Sequence, residues 1–277
     1  MKRLYGVIGD PISHSMSPMM HNDAFENLKI DGYYHPFHIT HQDLPIAISG
    51  MKAIGISGFN VTIPHKISIL PMLDQIDPLA RAIGAVNTVV RENDKYVGYN
   101  SDGLGFLHSL QERWKKDIKN EKTLIIGAGG AAKAIYYTLA AEGVKKIDIC
   151  NRTTARAFSL VDHCPFKCDT IVLDLAEAAK KLSEYTLLIQ TTSIGMSPNV
   201  QDIPIVLENL QSKAHAVDII YNPLETAFLK KAKQKGATTQ NGIGMFVYQG
   251  AIAFEKWTGM KPDIIRMENI VLKHLGG

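Results

Sequence analysis

Two features of this sequence carry chemistry by type and spacing alone: the run Gly127-Ala128-Gly129-Gly130-Ala131-Ala132, and the arginines Arg152 and Arg156 farther on. Glycines let a backbone turn sharply and approach a pyrophosphate, and a helix starting there aims free N–H groups and the positive end of its dipole at the anion. After the next strand come Asn151, Arg152 and Thr153, with Arg156 just beyond. An NAD site usually carries Asp or Glu at that point, to bind the ribose 2′-hydroxyl. Two guanidiniums instead suit a 2′-phosphate, which they can hold in bidentate fashion. Cations at a helix start oppose its dipole and need another reason to be there. NADP is the expected cofactor, with Gly127, Ala128, Gly129, Gly130, Ala131, Asn151, Arg152, Thr153 and Arg156 as its candidate residues.

A second group lies upstream. Asn60-Val61-Thr62-Ile63-Pro64-His65-Lys66 reads as a β-run stopped by proline, with a helix starting near Lys66. Ligands of open α/β sheets gather at the carboxyl ends of strands, where Thr62, His65 and Lys66 would stand. Ser13-His14-Ser15-Met16-Ser17-Pro18 is a polar turn leading to a helix, with Ser17 as N-cap and Pro18 at the first position. Taken singly, each of these residues also has a structural reading. Ser15 and Ser17 can serve a turn and a cap, Lys66 a solvated helix start, Asp102 a cap, Asn87 a turn, Gln249 a helix surface, and Tyr221 a contact on a turn. His14, His21 and His65 are assigned no chemistry, and no His, Cys or carboxylate cluster has metal spacing, so no metal is expected.

The elements that must position these residues alternate. Leu4–Gly9, Tyr33–Ile39 and a run within Gly55–Val61 read as strands, with helices after Ser17 and over Leu44–Ile54. A strand after Ile83 pairs with Tyr96–Tyr99 as a hairpin across Asn93-Asp94. This part should form its own mostly parallel sheet. Thr123–Ile126, the glycine turn, a helix up to Gly143 and the strand Lys146–Cys150 make a βαβ unit. Thr170–Leu173, Thr186–Gln190 and Ala214–Ile220 add strands, Thr226–Lys235 an amphipathic helix, and Met245–Trp257 and Pro262–Leu275 two closing helices. Strands alternating with helices predict an α/β protein of two domains.

Composition agrees. The chain has 277 residues, 45% apolar and 21% charged, enough for sizeable cores. A net charge of +3 is too weak a bias to argue for nucleic acid. Cys150, Cys164 and Cys168 give no disulfide framework and read as free thiols. The first apolar run is broken by Asp10-Pro11, too soon for a signal peptide, and no stretch approaches a bilayer's length. A soluble protein of a reducing cytoplasm is expected.

In order along the chain, Ser13–Pro18, Asn60–Lys66, Gly84-Ala85-Val86-Asn87-Thr88, Asn100-Ser101-Asp102-Gly103, Gly127–Ala132, Asn151-Arg152-Thr153, Tyr221-Asn222-Pro223 and Gln249-Gly250-Ala251 resemble shikimate dehydrogenase of the common bacterial type. The resemblance spans essentially the whole chain. It implies NADP-dependent reduction of 3-dehydroshikimate to shikimate, a step of aromatic amino-acid synthesis. It further implies a substrate domain of residues 1–101 completed by 245–277, and a Rossmann-like NADP domain of 102–244, the active site lying in the cleft between them. By motif, Ser15 and Ser17 correspond to ligands of the substrate carboxylate, and Thr62, Asn87, Asp102 and Gln249 to partners of its ring hydroxyls. Lys66 corresponds to the catalytic lysine, paired with Asp102. Tyr221 corresponds to the tyrosine near the carboxylate, and Ile219 and Gly242 to positions where backbone approaches the nicotinamide half of the cofactor. The chain departs from the family at Gln190-Thr191-Thr192-Ser193, where Asn-Ala-Thr-Ser is common, and Lys133 stands at a variable position.

The chemistry fits these side chains. A ketone that accepts hydride becomes an alkoxide and needs a proton, which a lysine ammonium can supply. Short hydroxyl and amide side chains suit a polyol carboxylate, and a site built to bond hydroxyls rejects analogues lacking them. Two other readings stand beside this one. A quinate or dual quinate/shikimate dehydrogenase is disfavoured by Arg152, where those relatives often carry an acidic residue. A non-catalytic NADP-binding sensor is disfavoured by the presence of both Lys66 and Asp102. The partner is a small molecule, without nucleic acid or membrane, and the assembly is a monomer or homodimer.

Overall fold

In the computed structural model, residues 2–276 are described. The chain first lays down β1 (Arg3–Gly9), α1 (Ser17–Asn27), β2 (Gly32–His38), α2 (Leu44–Ala53), β3 (Gly58–Val61), α3 (His65–Ser68), β4 (Gln75–Ile76), α4 (Pro78–Ile83), β5 (Thr88–Glu92) and β6 (Lys95–Tyr99). It continues through α5 (Asp102–Arg113), β7 (Thr123–Ile126), α6 (Gly130–Ala141), β8 (Ile147–Cys150), α7 (Thr154–Asp162), β9 (Val172–Leu173), α8 (Leu175–Lys180), β10 (Leu187–Gln190), β11 (His215–Asp218), α9 (Ala227–Gln234) and β12 (Thr238–Gln240). It closes with α10 (Ile243–Thr258) and α11 (Ile264–His274). No helix among the described residues is long and apolar enough to cross a membrane.

Two six-stranded sheets result, each in its own compact unit: Met1–Gly105 with Val247–Gly277, and Phe106–Phe246. Both divisions fall inside helices, α5 and α10, within a few residues of their first turns. In the first unit the strand order is β2-β1-β3-β5-β6-β4. The sheet is mostly parallel, as the alternation of elements predicts. The exception is β5, antiparallel to β3 and β6. The β5–β6 turn places Asn93 and Asp94 at φ of 48° and 64°, the left-handed pair that a tight hairpin demands and that Asn and Asp tolerate. The short β4 escapes a sequence reading because two residues show no alternation. Ile8, Leu44, Ile48, Phe59, Val61, Val89 and Tyr96 belong to this unit's core. The C-terminal helices pack back on it: Trp257 of α10 donates its indole N–H to the Val89 carbonyl at 2.9 Å, in space left by Gly58.

The second sheet has the order β12-β11-β10-β7-β8-β9, and every pair is parallel. Read from β9, this is the doubly wound order in which the strand order reverses between β7 and β10 and ligands collect at the strands' carboxyl ends. Every residue of β7, β8, β10 and β11 is buried, which is why β7 and β10 read as near-continuous apolar runs rather than alternating ones.

One local expectation is corrected. Ser17 is not an N-cap: the helix begins at Ser17 itself, Met16 occupies the cap without a side-chain bond, and Ser15 Oγ accepts from the Ser17 N–H at 3.3 Å. The cap lies one residue earlier because Pro18, which has no N–H to be capped, is equally tolerated at the first or second helical position.

Candidate active site

In the first unit, β3 ends at Val61 and hands the chain to Thr62, half-buried at the strand's carboxyl end, whose N–H donates to Ile8 O at 3.0 Å. Lys66 follows on α3. Its Nζ lies 2.6 Å from Asp102 Oδ2, a partly exposed pair with side-chain exposures of 31% and 16%. Asp102 opens α5, yet it does not act as the cap. Asn100 accepts the Asp102 N–H at 3.1 Å, which leaves the carboxylate available to other groups. Asn87 donates to Asp102 Oδ1 at 2.7 Å and to Ser101 Oγ at 3.0 Å, and its own Oδ1 accepts from Ser101 N–H at 2.8 Å and Thr88 Oγ1 at 2.9 Å. Both amide hydrogens of Asn87 are therefore engaged, and the carboxylate that faces Lys66 is held on both oxygens.

The network runs deeper. Asn60 donates to Asn87 O at 3.1 Å and to Thr88 Oγ1 at 3.2 Å, and accepts from the Tyr34 hydroxyl at 2.7 Å. Burial holds the Tyr34 phenol well above its ordinary pKa, so it stays a donor, and the Ser17 side chain is in polar contact with it. Tyr34 and Lys66 are thus joined by one chain of hydrogen bonds through Asn60, Asn87 and Asp102, buried at its Tyr34 end and part-buried at Lys66. Ser15 is half-buried beside Ser17. Gln249, half-buried on α10, comes to the same neighbourhood: a Cβ on Gly105 of α5 would lie 2.6 Å from the Gln249 backbone nitrogen, so only glycine lets these helices touch there. His65 turns away, fully buried with Nε2 2.6 Å from Ile39 O. His21 is neutral, its pKa pushed to about 3 by burial against Tyr34, Phe254 and Trp257.

The second unit gathers the glycine turn and the arginines beyond the carboxyl ends of its neighbouring strands β7 and β8. Gly127 sits at φ 115°, and a side chain there would meet Thr191 Oγ1 at 2.5 Å. Ala128 is half-buried, and Gly129 caps α6, which starts at Gly130 and Ala131. A Cβ on Gly129 or Gly130 would meet nothing within 4 Å, so the N-terminus of α6 is open to a phosphate. Beyond β8, Asn151 donates to Thr153 O at 2.8 Å, Thr153 stands at the N-cap of α7, and Arg152 and Arg156 are exposed. Lys133 does not reach past the helix: its ammonium lies 5.2 Å from the Tyr137 ring centroid, and burial lowers its pKa.

At the neighbouring strand ends, Ile219 and Gly242 meet: a side chain on Gly242 would collide with the Ile219 carbonyl oxygen. The Tyr221 ring packs against Phe246 with centroids 5.1 Å apart, and burial raises its pKa. The structure bonds both Lys66 and Asn87 to Asp102, holds Ser15, Ser17, Thr62 and Gln249 in the same unit, and keeps Ile219, Tyr221 and Gly242 with the glycine turn in the other.

Comparison with known proteins fits this geometry. Family models described as the shikimate dehydrogenase substrate binding domain, shikimate / quinate 5-dehydrogenase and the shikimate 5′-dehydrogenase C-terminal domain match residues 7–89, 109–223 and 242–272. The chain is 52% identical over 277 residues, 100% of each chain, to the shikimate dehydrogenase (NADP(+)) of Geobacillus sp. (strain WCH70). This chain belongs to the shikimate dehydrogenase family. Among solved structures, it is similar to shikimate 5-dehydrogenase from Listeria monocytogenes, in complex with shikimate and NAD, at 35% identity and TM-score 0.93 over 98% of this chain and 96% of that one. It is also similar to the Thermus thermophilus shikimate 5-dehydrogenase in complex with NADP(H) and shikimate, at 34% identity and TM-score 0.88 over 98% and 99%.

Within this member of the shikimate dehydrogenase family, two buried residues outside the candidate set also shape the site. Asn60 lies inside the Asn60–Lys66 motif, two positions before Thr62. An Asn in the middle of an otherwise apolar strand is the available signal, because a buried amide must find partners. Gln190, in the sequence a departure from the family pattern, is fully buried at the end of β10. It accepts the Thr192 N–H at 2.6 Å and donates to Thr192 O and Ile194 O at 3.1 Å each, so it shapes the loop that packs on Gly127.

Proposed function

We propose that this chain catalyses the NADP-dependent interconversion of 3-dehydroshikimate and shikimate, running toward shikimate in aromatic amino-acid synthesis. The observation that carries the reading is the Lys66 ammonium 2.6 Å from an Asp102 carboxylate whose other oxygen is fixed by Asn87. NADPH, when bound, supplies the hydride that the ring ketone accepts. Lys66 places a proton donor at the oxygen that becomes an alkoxide, and in the reverse direction it receives that proton from the hydroxyl. Asp102 aims the ammonium and accepts a hydrogen bond from an adjacent ring hydroxyl. Thr62 and Gln249 serve the remaining hydroxyls, as does Asn87 in exchange for its amide bond to Ser101 Oγ, while Ser15, Ser17 and Tyr221 hold the carboxylate. Residues 1–101 with 245–277 act as the substrate domain and 102–244 as the cofactor domain.

The residues present suit NADP. Gly127, Ala128, Gly129, Gly130 and Ala131 form an open helix N-terminus for the pyrophosphate, and nothing within 4 Å would obstruct even an added Cβ at the two central glycines. Asn151, Arg152, Thr153 and Arg156 would hold the 2′-phosphate, and Ile219 and Gly242 would receive the nicotinamide half.

The test is a spectrophotometric assay with shikimate or quinate and NADP or NAD, using Lys66→Ala as comparator. Turnover with shikimate and NADP is expected, falling on the order of 10²–10⁴-fold in the variant, the range a positioned acid/base contributes. Turnover with quinate and NAD alone, or none with shikimate, overturns the reading.

A further inference from the structure

We propose that Asp218 is a positioning residue for the cofactor site: its buried carboxylate sets the conformation of the 219–226 loop and thereby the place of the nicotinamide half of NADP. The proposal rests on the cofactor assignment above and extends it to a residue that touches no ligand.

Asp218 is the last residue of β11 and is fully buried. One oxygen accepts the Ile220 N–H at 3.0 Å and the other accepts the Thr226 hydroxyl at 2.7 Å. Neither partner is charged. Burying an ionisable carboxylate beside neutral donors alone is costly, and burial raises its pKa to about 6. What the carboxylate achieves is geometric. It bonds the residue two positions on, which bends the chain sharply out of the strand, and it also ties that bend to Thr226. Thr226, itself fully buried, is the N-cap of α9 and accepts the Leu229 N–H at 3.3 Å. One side chain thus clamps both ends of the loop, whose carbonyls at Ile220 and Leu224 also accept from Gly242 N–H at 2.9 Å and the Asn241 amide at 3.1 Å.

The clamped loop carries Ile219 and Tyr221. Ile219 is further fixed by its N–H to Gln190 O at 3.1 Å and by the close approach of Gly242 to its carbonyl. Its sheet position supports a cofactor role, since β11 lies next to β10, at the reversal point between β7 and β10 where ligands of doubly wound sheets bind. Releasing the clamp loosens the Ile219 carbonyl and Tyr221 together while leaving the glycine turn and the arginines, which belong to other strand ends, in place.

This separation gives a test by titration calorimetry on the full chain with two probes. NADP+ reaches both halves of the site, whereas 2′,5′-ADP carries the 2′-phosphate but lacks the nicotinamide. Asp218→Ala is expected to weaken NADP+ by about tenfold, the effect of losing a hydrogen bond or two, and 2′,5′-ADP by less than about twofold. Thr226→Val, which removes only the second anchor, should show the same split and serves if Asp218→Ala folds poorly. Asp218→Asn and Thr226→Ser, which keep the geometry, should restore NADP+ affinity to within about threefold of the parent. Equal weakening of both probes, or of neither, overturns the proposal, as does failure of the conservative variants to restore binding. A parent chain that binds NADP+ but does not oxidise shikimate overturns the substrate reading alone, and the same titrations still decide the role of Asp218. A parent that does not bind NADP+ overturns both.

Discussion

Lys66 and Asp218 show two ways of keeping a charged side chain in a folded interior. Lys66 meets an opposite charge and remains partly exposed. Asp218 is completely enclosed and bonded by the neutral donors Ile220 N–H and Thr226 Oγ1. The second arrangement has a pH signature. Its carboxyl pKa is raised from 3.8 to about 6, so between those values the folded chain binds more protons than the unfolded one. Stability therefore falls as pH rises through this window. Above it the ionised group costs on the order of 3 kcal/mol, at about 1.4 kcal/mol for each tenfold change in proton affinity. Asp218→Asn removes that cost while keeping a hydrogen-bonding group of the same shape. Its melting temperature is expected to exceed the parent's at pH 7.5 and to converge with it as pH is lowered toward 4. A difference that is constant with pH would contradict this account. Asn87 shows the opposite economy: an uncharged amide with all its bonds satisfied, orienting a carboxylate at no cost in buried charge.

At the level of elements, the cofactor reading depends on the ends of β7 and β8. β7 delivers Gly127 in a conformation that side chains rarely adopt, and β8 delivers Asn151 and Arg152 to the start of α7. Arg152 and Arg156 are exposed there. A phosphate bonded by guanidinium is worth about 1.5–3 kcal/mol per charged contact. Arg152→Ala with Arg156→Ala, which removes two such contacts, is therefore expected to raise the KM for NADP on the order of 10²–10⁴-fold, at about 1.4 kcal/mol per factor of ten, and to leave that for NAD nearly unchanged. Equal loss toward both dinucleotides would deny the arginines their 2′-phosphate role. These elements are legible in the sequence because each is local. The glycine turn, the buried apolar strands and the buried Leu107 and Leu110 of α5 all follow from short-range patterns. The start of α1 differs by one position from its sequence reading because cap and first turn have nearly the same composition, and β4 is invisible to it because its pairing with β6 is long-range.

Across the whole molecule, each unit has its own sheet and its own core. The two ligands should accordingly leave separate footprints. In hydrogen exchange, 2′,5′-ADP is expected to slow amides within residues 127–131 and 151–156, and shikimate to slow amides near Ser15, Thr62 and Asn87. Protection by 2′,5′-ADP spread evenly over both units would contradict that assignment. The sequence alone determined the alternation of elements, the two-part organisation, the chemical types at each strand end and the family they resemble, since periodicity, turn residues and motifs are written in consecutive positions. Only the tertiary structure decided which buried polar groups pair. Tyr34 finds Asn60, Asn60 finds Asn87, Asn87 finds Asp102, and Asp218 closes on Thr226. The same holds for Ser109, which meets Gln240 at 2.7 Å from 131 positions away. Such pairings depend on strand order and register, which bring distant residues within a hydrogen bond of each other, and no local pattern encodes that distance.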